Sequence, residues 1–384
     1  MPALRQQTSI PVATIATWDP DAAADALLEQ LGEGPHAAVI VFVAPTLDRP
    51  ATAKAIQARF PGTPVLGATT AGEIGIGGLR DGCVTAVGLP AAHFRVASTV
   101  IEDLRTAPVE QGRAAAHDVL QRLSENGPAP TVANTIALLL VDGLSVAEER
   151  LASTLFNELG DIRLVGGSAG DGLEFGSTAV FADGKAYDHG AIVTLLQTDL
   201  PFTDFRTQNF LPGERRLVVT SADAARRVVH ELDGEPAAAY LAESLGMKVE
   251  DLGPEVFAIH PVVVRIGGAD YVRSIQKVED DGSLTFYCAI EEGVVLRDAH
   301  SIGIVENLNW ALAEVRQQIG DPQLTLTFDC IQRRLACIRE NTLIPVSEVL
   351  EGARSIGFST YGEQFGGMHV NQTLTGVAFG FPRD

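Results

Sequence analysis

The sequence predicts a mixed α/β (α+β) protein: two lobes of largely mixed or antiparallel sheet flanked by helices, with internally repeated strand-loop-strand units. Three observations carry that prediction. Helices are punctuated by capping residues, short β-rich runs lie between them, and two Asp-Gly turn signals separate β-like segments.

Asp19-Pro20 opens apolar helical periodicity that stops at Gly32. Strands are expected at residues 39–43, 83–89 and 136–141. Ser145, followed three residues later by Glu148, reads as a capping box leading into RLASTLFNELG. A further strand is expected at 192–196, Glu235-Pro236 starts the helix AAAYLAESLG, and strands follow at 257–266 and 284–290. Asp183-Gly184 and Asp281-Gly282 mark hairpins, which makes part of the sheet antiparallel.

One loop recurs. Leu66-Gly67-Ala68-Thr69-Thr70-Ala71-Gly72-Glu73 and Ile356-Gly357-Phe358-Ser359-Thr360-Tyr361-Gly362-Glu363 share the order aliphatic, Gly, any, Thr/Ser, Thr, any, Gly, Glu. Val165-Gly166-Gly167-Ser168-Ala169-Gly170-Asp171 is a shorter copy. Each precedes a β-rich segment, and the spacing of the leading glycines predicts a fourth, degenerate unit near residue 262. A Gly-Ser/Thr turn after a strand offers backbone N–H groups, hydroxyls and a terminal acid, which suits a small anionic or zwitterionic ligand. Thr69, Thr70, Glu73, Ser168, Asp171, Ser359, Thr360 and Glu363 are therefore the candidate ligand-binding residues. The alternative is that the same residues merely build tight connections.

Composition narrows the function. With 28 Lys plus Arg against 49 Asp plus Glu the 384-residue chain carries a formal charge of −21, and no basic cluster offsets it. Nucleic acid and anionic membrane surfaces are thereby disfavoured. The longest apolar run, 136–141, is far short of a bilayer span, and the N-terminus has no secretory pattern, so a soluble cytoplasmic protein is expected. Cys83, Cys288, Cys330 and Cys337 form no metal or redox spacing and read as core thiols. P-loop, dinucleotide and GxSxG patterns are absent. Ser168 on its glycine turn leaves a hydrolase as the minor alternative, with His189 its nearest base in sequence. Among eight histidines no HxH, HExxH or HxxxH pair occurs; His260, in the apolar stretch AIHPVVV, and His369, after the third loop, stand apart.

The ordered set VLGATTAGEIG, RLVGGSAGDG, VFADGKAYDHGAIV, ELDGEPAAAYLAESLG, FAIHPVVV, DYVRSIQKV, FDCIQRRL and GFSTYGEQFGGMHVNQTLTGVAFG resembles the FIST sensory-domain family. The resemblance implies a FIST N-type lobe over 35–220 and a FIST C-type lobe over 221–384, after an N-terminal extension at 1–34. It implies a signal-input domain that binds a small ligand, such as an amino acid, and acts on a separate protein, with a homodimer left open. The stretch STYGEQFGGMHVNQT also resembles the family's haem-binding, nitric-oxide-sensing branch. That likeness implies haem b ligated by His369 or His260, Tyr361 and Met368 as pocket neighbours, Arg273 or Arg334 at the propionates, and nitric oxide signalling through a partner histidine kinase to cyclic-di-GMP. An amino acid or similar metabolite bound without haem is the other receptor reading.

Overall fold

A computed structural model describes residues 9–125 and 127–382, and the chain passes three times through one pattern. In the first pass β1 (Val12–Ile15) and α1 (Pro20–Leu31) precede β2 (His36–Val43), α2 (Arg49–Arg59) and β3 (Val65–Thr69); the hairpin β4 (Glu73–Gly75) and β5 (Gly78–Arg80) follows, then β6 (Val84–Pro90). The second pass repeats this order as β7 (Phe94–Ile101), α3 (Pro108–Glu125), β8 (Thr135–Val141), α4 (Glu148–Leu159), β9 (Arg163–Ser168), β10 (Val180–Ala182), β11 (Lys185–Tyr187) and β12 (Ala191–Thr198).

The third pass begins at β13 (Phe202–Gln208) and is then interrupted. The insertion contains β14 (Phe210–Asp223), β15 (Val228–Leu232), β16 (Glu235–Pro236), α5 (Ala237–Leu245), α6 (Pro254–Ile259), β17 (Val262–Ile266), β18 (Ala269–Arg273), β19 (Ile275–Val278), β20 (Leu284–Phe286) and β21 (Val295–Ser301). The pattern then resumes with α7 (Ile304–Ile319), β22 (Leu324–Cys330), α8 (Ile331–Arg339), α9 (Leu343–Gly352), β23 (Ser355–Thr360), β24 (Glu363–Phe365), β25 (Met368–Val370) and β26 (Thr373–Phe379).

Each pass builds one six-stranded sheet around a parallel pair, β2/β3, β8/β9 or β22/β23, joined by crossover helices as parallel strands require. Each hairpin leaves its own sheet for a neighbour: β10/β11 extends the first sheet at β3, β24/β25 the second at β9, and β4/β5 the third at β23. This exchange closes the three sheets into a ring. Ile40 and Phe42 of β2 point inward to a shared core with Leu138, Leu140, Leu326, Phe328 and Phe358, while Val39, Val41 and Val43 alternate outward onto α1 and α2. Both faces of the strand are buried, which is why it reads as an unbroken apolar run.

The insertion forms an eight-stranded antiparallel sheet that curves into a half-barrel. Mixed α/β architecture with antiparallel hairpins at both Asp-Gly turns is thus present as the sequence predicts. Several expectations need correction. No fourth unit exists near 262; that stretch belongs to the insertion. Residues 257–259 are helical, because Gly253-Pro254 starts α6 and Pro261 stops it, so only Val262–Ile266 is a strand. The expected strand at 284–290 ends at Phe286. The Ser145–Glu148 box does not form: α4 has no side-chain cap, because Glu148 turns instead to Arg227 of the insertion. Residues 9–34 supply β1 and α1 of the first unit, and position 220/221 falls inside β14.

Candidate functional site

The three loop copies follow β3, β9 and β23 and meet where the sheets converge. Their backbones interlock. Ala71 N donates to Ser359 O at 2.8 Å and Ser359 N to Gly72 O at 2.7 Å; Ser168 N donates to Gly362 O at 2.9 Å and Tyr361 N to Ser168 O at 3.1 Å; Gly170 N donates to Thr69 O at 3.1 Å. These N–H groups hold the units together and are not free for a ligand. The acids serve the same junction. Glu73 accepts from the Thr70 hydroxyl and, at 3.1 Å, from Cys83 N. Glu363 accepts from Thr360 at 2.5 Å and Thr373 at 2.5 Å.

Burial pushes the Glu363 carboxyl up to about 8. A raised folded-state value means that the unfolded chain releases its proton first. This group's contribution is therefore full below the unfolded value of 4.5 and is lost as pH rises through about 8. Glu363→Gln is expected to remove about 3 kcal/mol of that pH dependence. Urea unfolding at pH 5 and pH 8 checks this; an unchanged difference between the two pH values in the variant would count against it.

Asp171 acts differently. Its carboxylate accepts from the backbone N–H groups of Phe175 at 2.9 Å, Gly176 at 2.8 Å and Ser177 at 2.7 Å, and from the Tyr361 hydroxyl. Phe175 is thereby held at φ 51°, its ring 4.7 Å from that of Tyr361 and 6.0 Å from that of Tyr287. Phe175 and Tyr287 form part of the wall of a cavity of about 490 Å³ between the three-unit body and the half-barrel. The body contributes Gly143, Leu144, Val146 and Glu174, and the insertion Arg226, Arg227, Gln276, Lys277 and Glu279.

Backbone strain gathers here. Val146 (φ 54°), Phe175 (φ 51°) and Arg227 (φ 59°) all line the cavity, three of the ten non-glycine residues with positive φ among those described. For a β-branched valine this conformation is a true outlier, and each such residue costs about 1–3 kcal/mol unless its surroundings fix it. Arg227 is fixed by charge: its Nη2 lies 2.7 Å from Glu148 and 2.6 Å from Glu149 at the start of α4. Glu149 also accepts from Ala289 N at 3.0 Å, so α4 holds the insertion at two points. Lys277 is paired with Glu279, whereas Arg226 and Glu174 have no ion-pair partner among the described residues.

A model of the FIST N domain matches residues 37–235, and one of the FIST C domain matches residues 237–366. The chain belongs to the FIST family. No curated protein matches it. FIST domains are sensory, ligand-binding domains of signal transduction rather than catalysts, so a small molecule is the input and a signalling partner the output.

Within this FIST chain the remaining expected residues lie around the junction. Thr69, Thr70, Ser168, Ser359 and Thr360 are all fully buried. Ser168 Oγ accepts from Gln364 Nε2 at 3.0 Å and makes no bond to His189, whose backbone N–H instead donates to Asp142. His369 is buried with both ring nitrogens engaged: Nδ1 lies 3.2 Å from Gln364 Nε2, and Nε2 lies 3.3 Å from the Tyr287 carbonyl. Burial pushes its pKa down to about 4, so the imidazole is neutral near pH 7. His260 caps the C-terminal end of α6, half-buried, and burial lowers its pKa too. Met368 starts β25, and Arg334 is paired with Asp81 at 2.7 Å beside Gly72. Among the described residues no three His, Cys, Asp or Glu side chains gather as a metal site. No described helix is long and apolar enough to cross a membrane.

A b-type haem needs an imidazole nitrogen facing an open apolar slot. His369 presents none, because its two nitrogens are taken and its ring packs on Gly362, where an added Cβ would stand 2.2 Å from Cε1. In this arrangement His369 does not fit as the haem ligand. Phe175, Tyr287, Arg226 and the Glu148–Glu149–Arg227 cluster were not among the expected residues; only the glycine-flanked run after Asp171 hinted at them.

Proposed function

We propose that the cleft between the three-unit body and the half-barrel is the sensory site, and that its ligand is a small zwitterionic metabolite of the amino-acid class. The concentration of strain at Val146, Phe175 and Arg227 carries this reading, since strained residues gather where a ligand must be met by a preset wall. Arg226 supplies an unpaired cation for a carboxylate, Glu174 an anion for an ammonium group, and the Phe175 and Tyr287 rings an apolar side. Because the wall is made by two bodies, ligand in the cleft favours one relative placement of insertion and body, which a signalling partner then reads.

Thermal unfolding with a panel of amino acids is the first test. One member at ~100 times its Kd is expected to stabilise the protein by about 2.7 kcal/mol. Phe175→Ala or Arg226→Gln is expected to weaken that binding at least tenfold; an equal response in both variants would refute the placement. The expectation of haem b, nitric oxide and a histidine-kinase partner rests on the resemblance of residues 359–373. Its test is the absorption spectrum after adding hemin. A stoichiometric Soret band lost in His369→Ala or His260→Ala would replace the amino-acid reading, and its absence would end the haem one.

A further inference from the structure

A second cavity, of about 590 Å³, is lined by residues of the insertion, none of which lines the proposed sensory cleft. Register assigns its walls. Val262 pairs with Arg273, Val264 with Tyr271 and also with Leu296, so Val264, Ile266, Leu296 and Arg273 share one face. Ile290 and Val294 add to the apolar part of the lining.

Arg273 is the one buried charged side chain of the lining; Arg216, Arg265, Arg297 and Glu291 are exposed or half-buried. Arg273 is 94% buried, lines the cavity, and has no carboxylate within ion-pair distance among the described residues, in a chain with 49 acids. Its hydrogen bonding is a single contact, Nη1 to the Val272 carbonyl at 3.2 Å, and its guanidinium lies 5.9 Å from the Tyr271 ring centroid. A guanidinium carries five N–H donors, and removing it from water without an anion costs several kcal/mol. The buried arginines of the interior follow the opposite rule: Arg227 has Glu148 and Glu149, and Arg333 has Asp329 at 2.6 Å.

We propose that this cavity is a second ligand site, for a small monocarboxylate with an apolar body: the carboxylate on Arg273, the body along Val264, Ile266, Ile290, Val294 and Leu296. A buried guanidinium set among apolar side chains selects an anionic head and rejects uncharged analogues by leaving the guanidinium bare.

The probes are octanoate and its uncharged counterpart octanamide, titrated calorimetrically into the full chain. Octanoate is expected to bind at one per chain and at least tenfold more tightly than octanamide. Arg273→Gln should abolish that preference and Arg273→Lys should keep part of it. Val294→Trp, at a half-buried position in the lining, should block both probes while circular dichroism reports an intact fold. The amino acids that stabilise the protein should not compete with octanoate, which separates this site from the sensory cleft. Equal affinity for the two probes, an undiminished preference in Arg273→Gln, or no octanoate binding at millimolar concentration would each overturn the proposal.

Discussion

Gly166→Ala is expected to cost at least about 4 kcal/mol and to leave little folded protein at room temperature. A Cβ on Gly166 would stand 1.9 Å from the Leu139 carbonyl oxygen, and the atom it meets is backbone of the parallel partner strand β8. Neither strand can retreat, because Leu139 and Gly166 are in register and both strand faces are packed. The repeat imposes the same contact on the other units: Gly67 would meet Val41 O at 2.1 Å and Gly357 would meet Thr327 O at 1.7 Å. Alanine at each leading glycine is therefore expected to act alike. Gly172, at φ 77° with nothing within 4 Å of an added Cβ, is the control, with a cost of about 1 kcal/mol. Denaturant unfolding of the variants checks the series; a Gly166→Ala cost no larger than that of Gly172→Ala would contradict it.

Arg227→Met is expected to cost about 3–5 kcal/mol, because it strands two carboxylates at the interface of body and insertion. Glu148 is fully buried, and burial pushes its pKa up to about 7 even with Arg227 present. Without the cation it is protonated at still higher pH, so the variant should recover stability as pH falls from 8 to 5. The triple variant Glu148→Gln, Glu149→Gln, Arg227→Met should regain most of the loss, since replacing all members of a buried ionic cluster costs far less than orphaning some of them. Unfolding of the single and triple variants at both pH values decides this. A single variant within ~0.5 kcal/mol of wild type would show that the cluster does not hold the insertion to the body.

The two predictions draw on features that differ in how far sequence alone reveals them. The leading glycines at 67, 166 and 357 are legible because the pattern that contains them recurs in the sequence. What the repeat does was not legible: its N–H groups and acids look like a ligand cradle until the loops are seen to bond one another. The insertion was missed because its limits are set by pairing across great sequence distance, β13 lying beside β26. The stretch 257–266 misled because a short apolar run fits helix and strand equally, and the Pro254 and Pro261 punctuation decides between them. Glu148 shows a local signal overridden by a tertiary one, a helix-capping acid drawn off by an arginine 79 residues away. The cleft joins segments around 144, 175, 226 and 286, none of which carries a motif.

The most direct test of the sensory cleft is hydrogen–deuterium exchange of the full chain with and without the amino acid that gives the largest thermal stabilisation. Slowed exchange is predicted in peptides covering 143–147, 174–177, 226–228 and 276–287, with the outer helices α1 and α3 unchanged. Protection confined to other segments, or spread evenly over the chain, would contradict the account.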